Sequence, residues 1–160
     1  MMSFEEIKNI LVERTKNAHS CIEGLTLLLK SNTYQEILNT AKYDFVWTIT
    51  KGILTAKDLL EWFDPDLLIQ NNIYISGEHN INEVDTAYFL GTSIGNIYNT
   101  SKVYAFDNSI INAYDNSFIC AYDNVEVNIL GDKTLVNYTY NGKLYTEKDF
   151  NSTTKEIFDV

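Results

Sequence analysis

The sequence predicts an α+β fold: an N-terminal helical unit followed by a small parallel β-solenoid that a C-terminal β-hairpin closes. Three observations carry the prediction. Helix-capping signatures recur through the first 70 residues, residues 87–134 fall into six consecutive octads, and Asn141-Gly142 separates two runs of alternating residues. The implied organisation is a helical unit over 1–70, octad repeats over 71–134, a capping hairpin over 135–146 and a polar tail over 147–160.

The helices come first. Ser3-Phe4-Glu5-Glu6 has the form of a capping box, in which the serine hydroxyl accepts from an early backbone N–H and the glutamate reaches back to the serine N–H. Behind it Phe4, Ile7, Ile10, Leu11 and Arg14 stand at helical spacing. Ser20-Cys21-Ile22-Glu23 and Thr33-Tyr34-Gln35-Glu36 repeat the signature, and Thr55-Ala56-Lys57-Asp58 varies it before Leu59, Leu60, Trp62 and Phe63. Helices are expected over 3–17, 20–30, 33–49 and 55–63, with a short further helix that begins at Pro65 and is capped by Asp64. Leu67 and Leu68 would pack it back onto the unit.

From Asn71 the composition turns to Asn, Ile, Tyr and Ser. Ile73-Tyr74-Ile75 reads as a short strand that ends by Gly77. The octads follow: AYFLGTSI, GNIYNTSK, VYAFDNSI, INAYDNSF, ICAYDNVE and VNILGDKT. Self-similarity at a short fixed period marks a solenoid. Column by column, Val103, Ile111, Ile119 and Val127 alternate with polar residues and are followed by Ala105, Ala113, Ala121 and Ile129, which describes a strand with one buried face. Asp-Asn comes next, and both residues tolerate left-handed backbone, so the chain turns a corner there. Ser109, Ser117 and Val125 then resume small inward positions. Two octads make a coil, and the octads make about three coils. Stacked coils would align Asn108, Asn116 and Asn124 as an amide ladder, and would stack Tyr98, Phe106, Tyr114 and Tyr122 with alternate members on opposite sheets.

A solenoid exposes unpaired edges at its ends and needs caps. The helical unit is the expected first cap. The second is Leu135 to Tyr140 and Lys143 to Thr146 around Asn141-Gly142, the strongest short hairpin signal because both turn residues accept positive φ. A short helix near Lys155 to Phe158 is expected in the tail.

Charge and chemistry narrow the function. The formal net charge is −10, and its excess sits in the repeats: residues 71–132 carry 8 acidic side chains against the single Lys102. Residues 1–70 carry 7 basic and 10 acidic, and residues 133–160 four of each. Such a field repels phosphates, so direct nucleic-acid binding by the repeats is disfavoured and a basic protein surface becomes the fitting partner. The expected contact residues are Asp107, Asp115, Asp123, Glu126 and Asp132, with Tyr114 and Tyr122 adding area. No stretch of apolar residues is long enough for a bilayer and no signal peptide stands at the start, which implies a soluble cytoplasmic protein with no membrane partner. Cys21 and Cys120 lie in segments of different character and are expected as reduced, buried thiols. His19 and His79 stand alone, without the companions of a metal site, and the octads lack the glycines with which nine-residue calcium repeats open their ligand turns. No nucleophile, Walker or dinucleotide motif is present. No catalytic residue, metal or cofactor is expected.

The octads NAYDNSF and CAYDNVE resemble the AYDNATV- and AYGNSTV-type repeats of phage, prophage and mobile-element proteins, notably from Bacteroidetes. The resemblance spans residues 95–134. It implies a small acidic inhibitor of a host defence enzyme, such as an anti-CRISPR protein acting on a CRISPR effector in the bacterial cytoplasm, and it carries over no functional residue. Two other expectations stand beside it. One is a structural or oligomerisation module of a phage particle, a homodimer included. The other is an enzyme with a site between helical unit and solenoid around Trp62, His79 and Tyr98.

Overall fold

The computed structural model describes residues 2–122, 124–131, 133–140 and 143–146. They form an α+β chain of two compact units, Met1–Asn71 and Asn72–Val160. The expected turn at Asn141-Gly142, and the tail with its helix near Lys155, lie outside the described residues.

The first unit holds helices α1 (Phe4–Asn17), α2 (Ile22–Lys30), α3 (Tyr34–Tyr43), α4 (Phe45–Thr50), α5 (Ala56–Trp62) and α6 (Pro65–Gln70). Capping boxes start α1, α3 and α5, where Ser3, Thr33 and Thr55 accept from the N–H of Glu6, Glu36 and Asp58. Asp64 caps α6 ahead of Pro65. Two expectations are corrected. The helix expected over 33–49 is two helices, because Asp44 leaves helical backbone (φ −144°, ψ 76°) and its carboxylate accepts from Trp47 N at 3.1 Å. An Asp side chain that satisfies the backbone in a non-helical conformation competes with helix continuation. The helix expected from Ser20 starts at Ile22 instead, capped by the Cys21 thiol, which accepts from Gly24 N. Cys21 is therefore exposed rather than buried.

Inside the unit Ile7, Leu11, Ile37, Leu38, Leu54 and Leu59 are at most 2% exposed. Arg14 stands on the apolar stripe of α1 for a reason the stripe does not show. Its Nη1 donates to Asp58 Oδ2 at 2.6 Å and to the Ile53 carbonyl at 3.1 Å, and its guanidinium lies over the Trp62 ring. Asp58, itself buried, also accepts from Thr55 N and Thr55 Oγ1. A buried carboxylate with this many donors is a satisfied one.

The second unit is a parallel β-solenoid. Strands β1 (Ile73–Tyr74), β3 (Ala87–Phe89), β5 (Lys102–Ala105), β7 (Phe118–Tyr122), β9 (Leu135–Tyr140) and β10 (Lys143–Thr146) form a six-stranded sheet in that order. Strands β2 (Glu78–Asn82), β4 (Ile94–Tyr98), β6 (Ile110–Ala113) and β8 (Glu126–Ile129) form a four-stranded sheet. All pairs are parallel except β9 with β10. From β2 to β8 the register advances sixteen residues per turn, as Val103↔Ile119 and Ile111↔Val127 show, while β1 pairs with β3 fifteen residues on, Ile73↔Tyr88. Four turns are present rather than about three, since β1 and β2 build a first coil that carries no Asp-Asn octad. At the other end β7 pairs with β9 seventeen residues on, Ile119↔Val136, so one residue is inserted after β8 and the octad frame slips. The expected capping hairpin is thus half solenoid: its first strand is a further rung of the six-stranded sheet.

The corner chemistry is regular. Glu83, Asn99, Asp107 and Asp115 all adopt positive φ, between 53° and 58°, at multiples of eight residues, with Gly91 filling the same position at 61°. Two residues after each of Gly91, Asn99, Asp107 and Asp115 comes a buried serine. The hydroxyls of Ser93, Ser101, Ser109 and Ser117 donate back to the carbonyls of Leu90, Tyr98, Phe106 and Tyr114, closing the turn from inside. Between the sheets Val103, Ala105, Ile111, Ala113 and Ile119 are fully buried. Gly95 takes the inward column of Ile111 because Phe89 fills the space: a Cβ there would stand 2.7 Å from its ring.

Candidate functional site

The expected contact residues fall on different parts of the solenoid. Asp107 lies at a corner that leads from the six-stranded to the four-stranded sheet, and Asp115 at a corner that leads back, so the two are on opposite edges. Both are exposed, and both carboxylates also hold the preceding coil. Asp107 Oδ2 accepts from Gly91 N at 2.9 Å, and Asp115 Oδ2 accepts from Asn99 N at 3.3 Å. Tyr114 stacks on Tyr98 (centroids 4.6 Å apart, 9° between planes) on the edge of Asp115, and Tyr122 on Phe106 (4.8 Å, 11°) on the edge of Asp107. The aromatic column thus stacks in two alternating halves, and the acidic-aromatic set divides into two groups rather than one patch. Glu126 opens β8 and accepts from Asn128. Asp123 and Asp132 lie outside the described residues.

The outer face of the four-stranded sheet carries what the sequence reading placed elsewhere. An amide ladder exists, yet it is built from Asn80, Asn96, Asn112 and Asn128 in mid-strand rather than from the corner residues Asn108, Asn116 and Asn124. Asn96 donates to Asn80 at 3.0 Å, Asn112 to Asn96 at 2.8 Å and Asn128 to Asn112 at 3.0 Å. The parallel register sets this column, because residues sixteen apart stand directly over one another and their amides fit the inter-strand repeat. Glu78 accepts from Asn96 Nδ2 at one end of the ladder and Glu126 from Asn128 at the other. Glu83, Asp85 and Asp115 are also exposed, at the corners that lead out of this sheet.

The outer face of the six-stranded sheet differs. Tyr88 and Tyr104 stack in one column, and the Lys102 ammonium sits 4.9 Å from the Tyr104 ring centre and 5.9 Å from that of Phe118. Lys102 is held protonated above its ordinary range, first by its bond with the Tyr104 hydroxyl. Burial pushes the Cys120 thiol up, with Lys102 pulling the other way, so it is a poor thiolate source.

Of the residues of the enzyme expectation, Trp62 lies in the first unit and His79 and Tyr98 in the second. The His79 ring packs on Tyr74 and its Nε2 contacts the Ser76 carbonyl at 2.8 Å. His79 shares the inward column of Gly95, whereas Tyr98, three residues further along β4, is on the outward one. Trp62 belongs to the helical unit, under Arg14. Among the described residues no group of three His, Cys, Asp or Glu is placed to hold a metal ion. No described helix is long and apolar enough to cross a membrane.

The helical unit contains a feature the sequence did not signal, an open cleft of about 250 Å³. Its floor is apolar, from Leu11, Leu28, Ile37 and Leu54, and its mouth carries His19, Cys21, Tyr43, Asp44 and Trp47. Three elements meet there: the left-handed turn at His19 (φ 56°), the thiol cap of α2 and the break at Asp44. No protein-family model, no curated protein and no solved structure matches this chain.

Proposed function

We propose that the chain is a non-enzymatic binding protein that occupies the basic nucleic-acid-binding surface of another protein. The supporting observation is the solenoid's distribution of charge. Glu78, Glu83, Asp85, Asp107, Asp115 and Glu126 are exposed, while the one cation between residues 72 and 131, Lys102, lies over Tyr104 and Phe118 on the outer face of the six-stranded sheet. An acidic surface with almost no cations is suited to a partner that tracks phosphates, and complementarity of this kind sets on-rate and specificity. The octad resemblance directs the choice of target to a host defence enzyme of the bacterial cytoplasm, a CRISPR effector first, with the chain acting as a phage or mobile-element inhibitor.

The corner geometry dictates the test. Reversal of Asp107 or Asp115 to Lys would remove an acceptor that the preceding coil uses, so neutralisation is the informative change: Asp→Asn keeps an acceptor oxygen and tolerance of positive φ. The wild-type chain should displace labelled guide RNA or target DNA from the effector, with an affinity that weakens as salt rises. A variant with Asn at 85, 107 and 115 and Gln at 78, 83 and 126 should fold and lose at least tenfold in displacement. Undiminished displacement by that folded variant rejects the proposal.

A second reading, an assembly module, has its own observation. At β8 the inward residues Val127 and Ile129 are half-buried, whereas Ile111 and Ala113 one coil earlier are fully buried, and Leu130 is 56% exposed. A second copy could cover this end. Light scattering across concentration separates the readings, since an inhibitor stays one small species and a module grows.

A further inference from the structure

We propose that the cleft of the helical unit is a binding site for a small amine, an apolar or aromatic body that carries a positively charged ammonium group. The size comes first. At about 250 Å³ it exceeds the roughly 150 Å³ of an apolar cavity that admits a benzene ring, leaving room for a short alkyl chain. The floor of Leu11, Leu28, Ile37 and Leu54 offers such a body nothing to hydrogen-bond and much to pack on.

The mouth selects the charge. Asp44 is the only Asp or Glu among the lining residues, and no Lys or Arg lines the cleft. One oxygen of Asp44 caps α4 through Trp47 N, and among the described residues the other accepts no hydrogen bond. No described cation pairs with it either, since the ion pairs of this unit are Arg14–Asp58, Lys16–Glu13 and Lys57–Glu61. Trp47 and Tyr43, the latter 67% exposed, line the same cleft as the carboxylate. Aromatic faces next to a carboxylate are how ammonium groups are recognised, through cation–π attraction and a charge-assisted hydrogen bond together. The lining hydroxyls of Thr15 and Thr48 donate to the carbonyls of Leu11 and of Ala41 and Asp44, so they have no proton left to offer an anionic ligand.

The site is independent of the solenoid's acidic surface, and its test uses the whole chain. Three probes of one shape, 4-phenylbutylamine, 4-phenyl-1-butanol and 4-phenylbutyrate, are titrated by calorimetry. The amine should bind about tenfold more tightly than the alcohol, the size of one charge-assisted contact, and the acid more weakly still. Asp44→Asn keeps a good helix cap and should erase the preference for the amine. Gly24→Leu closes the mouth: a Cβ at Gly24 meets only Cys21 Sγ, at 3.6 Å, and leucine favours α2, so the fold survives and all three probes should be lost. In Trp62→Phe the amine should also shift the emission of Trp47, then the only tryptophan. Equal binding of the three probes, no binding of the amine, an amine preference that persists in Asp44→Asn, or an unmoved Trp47 each overturns the proposal.

Discussion

The helical unit is held by contacts that occur once, and the solenoid by contacts that recur every sixteen residues. In the first, Arg14 reaches 44 residues along the chain to Asp58, and each helix has its own cap. In the second, the same serine, the same asparagine and the same inward aliphatic residue appear turn after turn. A unique contact fails locally when it is lost. A recurring one transmits its loss to the coils above and below, because each coil packs chiefly on its neighbours.

Core truncation gives the largest test of that difference. Ile111→Ala and Leu38→Ala each remove a buried branched side chain, and each should cost about 2–5 kcal/mol. Their hydrogen-exchange footprints should differ. Ile111→Ala should lower protection in β4 and β8 as well as in β6, since both pair with it, whereas Leu38→Ala should act within the helices alone. Equal, local footprints would remove the distinction.

Next is the Arg14–Asp58 pair. Asp58→Ala removes the returning half of the α5 capping box, where its carboxylate accepts from Thr55 N and Oγ1, and leaves the guanidinium without its carboxylate. Because the Arg14 side chain is 36% exposed, the expected loss is about 2 kcal/mol rather than that of a fully buried pair, read from urea midpoints. A smaller change sharpens the solenoid side. Asn112→Ala breaks the ladder to Asn96 and Asn128 and should cost about 1–2 kcal/mol, whereas Asn108→Ala, at an exposed corner, should stay within about 0.5 kcal/mol. The reverse order would return the ladder to the corners.

These residues also show what was legible in the sequence. The capping boxes at Ser3, Thr33 and Thr55 are local chemistry and could be read directly. So could the corners at Asp107 and Asp115, where the residue type and the backbone agree. The break at Asp44 was hidden because apolar residues continue on both sides of it. The first coil was hidden because its corner residue is Glu83, which tolerates positive φ less readily than Asp or Asn. The ladder was misplaced for a subtler reason: Asn108 and Asn124 are also sixteen residues apart, but they stand at exposed corners, whereas Asn80, Asn96, Asn112 and Asn128 share a hydrogen-bonded strand register. The cleft left no mark in the sequence, since it depends on what α1, α2, α3 and α4 fail to fill.

The smallest effect concerns pH and belongs to the solenoid. Burial raises the phenol pKa of Tyr74 and of Tyr88, and for Tyr88 the neighbouring Tyr104 adds to the rise while Lys102 opposes it. A tyrosine in an unfolded chain titrates near 10. With the folded value higher, the native state holds more protons than the unfolded state as pH rises past about 10, so stability falls with pH in that window. The contribution is fully present below the unfolded pKa and is lost as pH climbs through the folded one. Thermal melts of the solenoid should therefore drop between about pH 9 and 11, beyond any loss the helical unit shows. Tyr74→Phe keeps the ring on Phe89 and removes a long, 3.5 Å contact between the hydroxyl and Asn72, so it should flatten part of the drop at little cost near neutrality. A pH profile untouched by Tyr74→Phe would assign the alkaline loss to groups other than this buried phenol.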